Sequence, residues 1–171
     1  MPITYRLIQS TTLGTATNTV AFNSIPQTYT DLVLRTSVRN SGNAAQANLT
    51  FNGNTSSIYF SKGYYTDMVT QFGLGTSGQA FAQIEGIGAI NASLANTFNT
   101  SEFYFGNYSN TSFAKQFFYT TRSENNATEV YFTGSLAYLF NSTSAISSIS
   151  LSFVNNSVIG STFDLYGITR N

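Results

Sequence analysis

Histidine, cysteine and tryptophan are all missing from this sequence of 171 residues. Without cysteine the chain has no disulfide, no thiolate nucleophile and no cysteine-ligated zinc site. Without histidine it lacks the usual general base of a hydrolase triad. We therefore expect a protein that is not an enzyme and that holds no metal or cofactor.

Charge is scarce as well. Only 8% of the residues are charged, against about 25% in a typical globular domain, and seven basic residues balance seven acidic ones. The basic residues are scattered, whereas binding to nucleic acid needs clustered Lys and Arg. A net charge of zero gives little repulsion between molecules and favours association. The composition thus predicts an oligomer that does not bind nucleic acid.

Long apolar runs are absent too. No stretch comes near the roughly 20 apolar residues that cross a bilayer as a helix, and the N-terminus lacks the basic and apolar regions of a signal peptide. We expect synthesis in a cytoplasm and no membrane partner. The length fits a single domain over residues 1–171, with residues 1–14 as a candidate N-terminal arm.

What the sequence does contain is alternation of apolar and polar residues, the period of a half-buried β-strand. Residues 149–153 (ISLSF) place Ile, Leu and Phe on one face and both serines on the other. Similar runs occupy residues 31–38, 102–105, 117–121 and 162–168. We predict roughly ten short strands, at the spacing of a sandwich or barrel.

Turn signals separate these runs. Asn52-Gly53 follows the apolar run 48–51 and is a strong hairpin signal. Residues 70–79, rich in Gly, Ser and Thr, predict a long surface loop. Residues 89–98 carry the nearest approach to helical spacing, and a short helix there is an alternative to a loop.

Together these patterns predict an all-β domain, an antiparallel jelly-roll-like β-sandwich, because each strand has one buried face. A small closed barrel satisfies the same alternation nearly as well. Fifteen phenylalanines would fill the layer between the sheets, and most tyrosines would lie at its margins with the hydroxyl in water. The predicted core comprises Leu32, Leu34, Phe103, Phe105, Phe132, Leu151, Phe153 and Leu165.

Carboxylates are the remaining candidates for catalysis, since glycosidases need only a pair of them. The chain has seven, and nothing in the sequence selects two of them. We expect solvated surface groups and predict no catalytic residue, no cofactor site and no metal site. The seven are Asp31, Asp67, Glu85, Glu102, Glu124, Glu129 and Asp164.

Residues 58–68 are the most promising binding segment, because rigid aromatic and Met side chains are enriched at protein interfaces. The predicted interface residues are Tyr59, Tyr64, Tyr65, Met68 and Phe72. Tyrosines also stack on sugars, so a lectin role competes for the same residues. A third interpretation places Tyr59, Phe60 and Met68 in the core.

Three parts of the chain resemble small structural proteins of the virions of tailed phages, notably phages of cyanobacteria. They are residues 7–14 (LIQSTTLG) with 24–35 (SIPQTYTDLVLR), residues 51–54 (FNGN), and residues 146–151 (ISSISL) with 160–168 (GSTFDLYGI). The resemblance covers both ends of the chain and is loose in the middle. It implies a β-sandwich used as a capsid cement or decoration protein, or in a tail fibre, with no cofactor and no catalytic residue.

The resulting hypothesis is a non-enzymatic phage structural protein located in the virion, most simply a capsid decoration protein that binds the major capsid protein or another virion protein. A trimer is favoured, because capsid lattices offer three-fold sites; that step follows from the resemblance. One alternative is a tail-fibre or receptor-binding module that recognises a host glycan. Another is a hydrolase of surface polysaccharide, which would need a close carboxylate pair.

Overall fold

Two antiparallel β-sheets pack face to face in the computed structural model of this protein, which describes residues 3–66, 70–123 and 132–170. This part of the chain contains no helix, and the predicted two-sheet sandwich is confirmed. Its strands are β1 (Ile3–Thr12), β2 (Thr17–Phe22), β3 (Asp31–Val38), β4 (Ala47–Phe51), β5 (Tyr59–Thr66), β6 (Gln71–Gln79), β7 (Ala82–Ile84), β8 (Asn99–Phe105), β9 (Lys115–Ser123), β10 (Phe132–Phe140), β11 (Ile149–Ser157) and β12 (Thr162–Arg170).

The strand order is that of an elaborated jelly roll. The small sheet runs β2-β11-β4-β7 and the large sheet β1-β12-β3-β8-β9-β10-β5-β6. A jelly roll has eight strands, B to I, in sheets B-I-D-G and C-H-E-F. Taking β2 as strand B reproduces both orders, with the meander β8-β9-β10 in place of strand H. Strands β12 and β1 extend the large sheet beyond β3.

The core is an aromatic layer between the sheets, as the alternation predicts. In β9 every second side chain is buried, which places Phe117 and Tyr119 inside and leaves Phe118 outside. Phe51 of the small sheet meets rings of the large sheet, with centroids 5.7 Å from Phe105 and 5.4 Å from Phe117. Both contacts are edge-to-face, a favourable geometry for aromatic pairs.

Seven of the eight predicted core residues are buried: Leu32, Leu34, Phe103, Phe105, Leu151, Phe153 and Leu165. The eighth, Phe132, is half-buried. It lies at the start of β10, where its ring stacks on Tyr65 at 5.1 Å instead of entering the layer between the sheets. The alternation identified the face of the strand correctly but did not indicate how far along it the small sheet extends.

Residues 3–14, the described part of the predicted N-terminal arm, do not form a free arm. β1 pairs with β12 over nearly its whole length, from Ile3 opposite Arg170 to Thr12 opposite Thr162. The next residue, Leu13, is buried, and its N–H donates to the carbonyl of Ser161 at 2.9 Å. The N-terminal segment is therefore an edge strand of the sandwich.

The prediction of a surface loop over residues 70–79 is wrong. Residues 71–79 form β6, the other edge of the large sheet, paired with β5. Gly73 and Gly75 alternate with Phe72, Leu74 and Thr76, so the strand period is present, but two of its polar positions carry no side chain. An edge strand needs a partner on one side only, and this lowers the demand on its sequence.

Residues 89–98 form no helix. Ala89 bridges to Arg39, and the segment after it is a chain of turns. The Arg39 guanidinium holds this segment by donating to the carbonyls of Leu94 at 2.9 Å and Ser93 at 3.1 Å. Three carbonyls, including that of Thr97, thus accept hydrogen bonds from Arg39, which directly follows β3, instead of from a helix backbone.

The turn at Asn52-Gly53 forms, and both residues have positive φ, 53° and 65°. However, it links β4 of the small sheet to β5 of the large sheet, so the predicted hairpin is wrong. The Asn52 side chain anchors the turn to the residues before β11. Its Nδ2 donates to the Ala145 carbonyl at 2.8 Å, and its Oδ1 accepts the Ser147 N–H at 2.8 Å.

Four of the ten described tyrosines are buried, and the other six are exposed or half-buried. Each of the four buried hydroxyls donates to a backbone carbonyl: Tyr59 to Asn54 at 3.0 Å, Tyr108 to Pro26, Tyr119 to Glu85 at 2.9 Å, and Tyr138 to Gln83 at 2.6 Å. A hydrogen-bonded hydroxyl lets a large ring be buried without a desolvated polar atom. Burial raises the pKa of all four phenols.

Replacing Gly86 with alanine should destabilise the fold by about 1–3 kcal/mol. Gly86 has a φ of 70°, and a β-carbon there would lie 2.1 Å from the Phe132 ring. The matched control is Gly14→Ala, since a β-carbon at Gly14 meets nothing within 4 Å. Urea unfolding of both variants measures the difference, and equal midpoints would contradict this account of Gly86.

Candidate functional site

The structure separates the residues predicted to form an interface. Tyr59 is only 1% exposed and belongs to the core, so its assignment to an interface is wrong. Its hydroxyl accepts the Phe51 N–H at 3.0 Å, which ties β5 to the small sheet. Met68 lies outside the described residues. Tyr64 and Phe72 are exposed, by 50% and 38%, and Tyr65 is half-buried.

Tyr64 and Tyr65 face opposite sides of the large sheet, because consecutive residues of a strand alternate. Tyr65 stacks between Phe72 and Phe132, with ring centroids 5.2 Å and 5.1 Å away. These three rings form an aromatic cluster at one end of β5, β6 and β10, on the core-facing side of the large sheet. Tyr64 lies opposite Gly73 on the outer face.

The outer face of the large sheet holds a feature that the sequence reasoning missed. Phe118, at the centre of β9, is 54% exposed. Across the sheet it lies between Tyr104 of β8 and Ala137 of β10. Two grooves adjoin this ring, one on each side, and Gln116 lines both of them.

The first of these, the Lys62 groove, has a volume of about 360 Å³ and is largely apolar. Its lining includes Phe60, Leu139 and Phe118, with Lys62 as its charged side chain. Lys62 lies between Ala137 and Gly75 in the sheet, two residues too small to fill the space beside it. The described residues contain one ion pair, between Arg35 and Glu102, and it does not involve Lys62.

The second, the Asp31 groove, has a volume of about 400 Å³ and a more polar lining. Asp31 is buried at its base, where its carboxylate accepts the Asn107 N–H at 2.8 Å and the Tyr104 hydroxyl at 2.7 Å. Phe113, half-exposed, forms part of the rim. These hydrogen bonds fix the Tyr104 ring beside Phe118.

A buried lysine positions the Phe113 loop. Lys115 is 1% exposed, and its ammonium donates to the carbonyls of Phe113 at 2.9 Å and Thr143 at 3.1 Å. Burial lowers the pKa of this group. Because the buried ammonium bonds these two loop carbonyls, Lys115 stabilises the rim of the groove and does not face a ligand.

One sequence signal could have found this surface. Two adjacent aromatic residues in one strand, Phe117 and Phe118, cannot both face the core, because side chains alternate. One ring must therefore lie on the outer face. The Lys62 groove gave no such signal, because its lining combines β5 and β6 with β9 and β10, and these two pairs of strands are distant from each other in sequence.

The carboxylates in the described residues are all engaged within the fold. Besides Asp31, Glu102 pairs with Arg35 at 2.9 Å, and Asp164 accepts the Ser10 hydroxyl at 2.5 Å. Glu85 accepts the amide of Gln46 at 2.9 Å. Within those same residues, no group of three or more acidic side chains is placed to hold a metal ion.

A search for membrane-spanning helices among the described residues finds none that is long and apolar enough. Comparison of the chain with protein-family models, with curated proteins and with solved structures finds no match.

Proposed function

We propose that this chain is a non-enzymatic structural protein of a phage virion, a capsid cement or decoration protein that binds the major capsid protein as a homo-oligomer. The observation that carries the proposal is the edge strand β6. Its nine residues, QFGLGTSGQ, include no charged residue and no proline, and most of them are exposed. Monomeric proteins usually protect such an edge with Lys, Pro or a covering segment.

An unprotected edge favours pairing with another chain. The backbone N–H and C=O groups on the outer side of β6 can bond to a strand of a neighbouring subunit. Phe72, exposed beside Tyr65, would bury apolar area in the same contact. In a closed ring of subunits, each β6 edge pairs once with a neighbouring subunit. A ring of three subunits matches the three-fold sites of a capsid lattice.

Binding of this kind stabilises a shell through linkage. A subunit that binds the assembled capsid, and not its separated proteins, shifts the equilibrium toward the assembled state. No chemical step is required, which agrees with the engagement of Asp31, Glu85, Glu102 and Asp164 in contacts within the fold.

Placing a charge on the edge tests the oligomer. A β-carbon at Gly73 meets nothing within 4 Å, so Gly73→Lys adds a charge to β6 without a clash. We expect the wild-type chain to be a trimer at micromolar concentration by light scattering, and Gly73→Lys to be a monomer with unchanged β-structure. Gly14→Lys adds the same charge in equally open space away from β6 and should remain a trimer. A monomeric wild type, or identical behaviour of the two variants, would refute the proposed edge contact.

The location in the virion is tested by copy number. Quantitative mass spectrometry of purified virions should find many copies per particle, in proportion to the major capsid protein. A handful of copies would instead support the second candidate, a tail-fibre or receptor-binding module that recognises a glycan. The specific observation in favour of that candidate is the pair of grooves beside Phe118.

A further inference from the structure

We propose that the outer face of the large sheet binds an acidic saccharide, which lies across Phe118 with its carboxylate toward Lys62. The inference goes beyond the proposed capsid role and does not depend on it. Both grooves, of about 360 and 400 Å³, are within the size range of small-molecule sites, about 300–1,000 Å³.

Phe118 supplies the stacking platform. Its ring is 54% exposed and stands between the two grooves. The face of an aromatic ring carries partial negative charge, which attracts the C–H groups of a sugar ring, and contact buries apolar area on both. Tyr104 holds its place beside Phe118 through its hydrogen bond to Asp31, so the platform is formed before any ligand arrives.

Hydroxyl and amide groups surround this platform. Gln116 lines both grooves, and Ser77 lines the Lys62 groove. Thr76 lines the Lys62 groove as well, but its hydroxyl is hydrogen-bonded to that of Ser61 at 2.7 Å. An amide offers both donors and acceptors, and a hydroxyl can serve as either. Groups of this kind match the hydroxyls of a sugar.

Charge complementarity selects an acidic sugar. Lys62 is exposed, lines its groove and forms no ion pair with the described residues. The Asp31 carboxylate on the other side is buried and accepts two hydrogen bonds from the protein. The ring that carries a carboxylate therefore fits the Lys62 groove, and a neutral ring fits the Asp31 groove.

The same surface is poorly suited to an extended peptide. Strands β9 and β10 are interior strands of the sheet, paired on both sides. A peptide strand gains affinity by bonding its backbone to an open sheet edge, and the open edge on this side, β6, lies three strands away from Phe118. A saccharide needs only the side chains that the face presents.

Isothermal titration calorimetry of the full chain tests the proposal, with an alginate hexasaccharide as the uronate probe and maltohexaose as the neutral probe. We expect the uronate to bind more tightly. Phe118→Ala should weaken uronate binding about tenfold, because it removes the stacking platform. Lys62→Gln should weaken it about threefold to fivefold and abolish the preference over maltohexaose.

Val154→Ala is the matched control, since Val154 is equally exposed but lies in the small sheet. It should leave both affinities unchanged. The proposal would be overturned if neither probe binds at millimolar concentration. It would also be overturned if Phe118→Ala and the wild type bind the uronate with equal affinity. Equal affinity of the wild type for both probes would overturn the assignment of an acidic sugar. None of these outcomes bears on copy number or oligomeric state, which test the capsid role separately.

Discussion

Phe117→Ala is expected to lower the free energy of unfolding by about 3–5 kcal/mol, the usual cost of removing a buried ring. Phe117 is 1% exposed and lies in the aromatic layer between the sheets. Its ring centroid is 4.6 Å from that of Tyr138 and 5.4 Å from those of Phe51 and Phe105. Three rings thus lose contacts at once, and a rigid layer of this kind collapses little around the cavity.

The adjacent residue provides the control. Phe118→Ala makes the same chemical change in the same strand on the solvent face, and we expect an effect below about 1 kcal/mol. Thermal unfolding should show a melting temperature lower by about 10 °C for Phe117→Ala and little changed for Phe118→Ala. Similar shifts for the two variants would mean that the facing of β9 is wrong. The stability of Phe118→Ala also makes it a usable variant for the saccharide titration.

Raising the pH above about 10 is expected to destabilise the protein steeply, through Tyr119 and Tyr138. Burial is the main cause that raises the pKa of both phenols above the ordinary value of 10.0. The unfolded chain therefore gives up these protons at a pH where the folded protein still holds them. The stabilisation is fully present below pH 10 and is lost as the pH rises. Each phenol accounts for about 1.4 kcal/mol per pH unit.

Ionisation of the two phenols together should remove about 5 kcal/mol of stability by about pH 12. That is a large part of the free energy of unfolding of a typical domain, about 5–15 kcal/mol. Urea unfolding at increasing pH measures the slope, and Tyr138→Phe should reduce it by about 1.4 kcal/mol per pH unit. Tyr64→Phe, at an exposed tyrosine, should leave the slope unchanged. If phenolate absorbance instead shows that all tyrosines titrate gradually near pH 10, the hydroxyls of Tyr119 and Tyr138 are not buried away from water.

The strand pattern was readable from sequence wherever both kinds of position carry an informative side chain. Residues 149–153 alternate Ile, Leu and Phe with serine, and β11 buries that apolar face. In β6 two of the polar positions are glycine, and this glycine-rich segment predicts a loop instead of a strand. Glycine marks turns and edge strands alike, so local sequence does not distinguish them.

Phe118 illustrates the limit for the candidate site. Its exposure follows from its neighbour Phe117, because one of two adjacent residues in a strand must face outward. The grooves beside it do not follow, since the Lys62 groove joins side chains of β5 and β6 to those of β9 and β10. That adjacency depends on the position of the β8-β9-β10 meander between β3 and β5.

The sequence by itself determined the class of fold, the inner face of most strands and the scarcity of charge, because each is a property of a residue and its near neighbours. Only the tertiary structure decided which strands are edges, that residues 3–12 join the large sheet, and that Tyr59 belongs to the core. Those outcomes depend on pairing between segments far apart in the chain. The period of two that predicts a strand is the same whichever strand lies beside it.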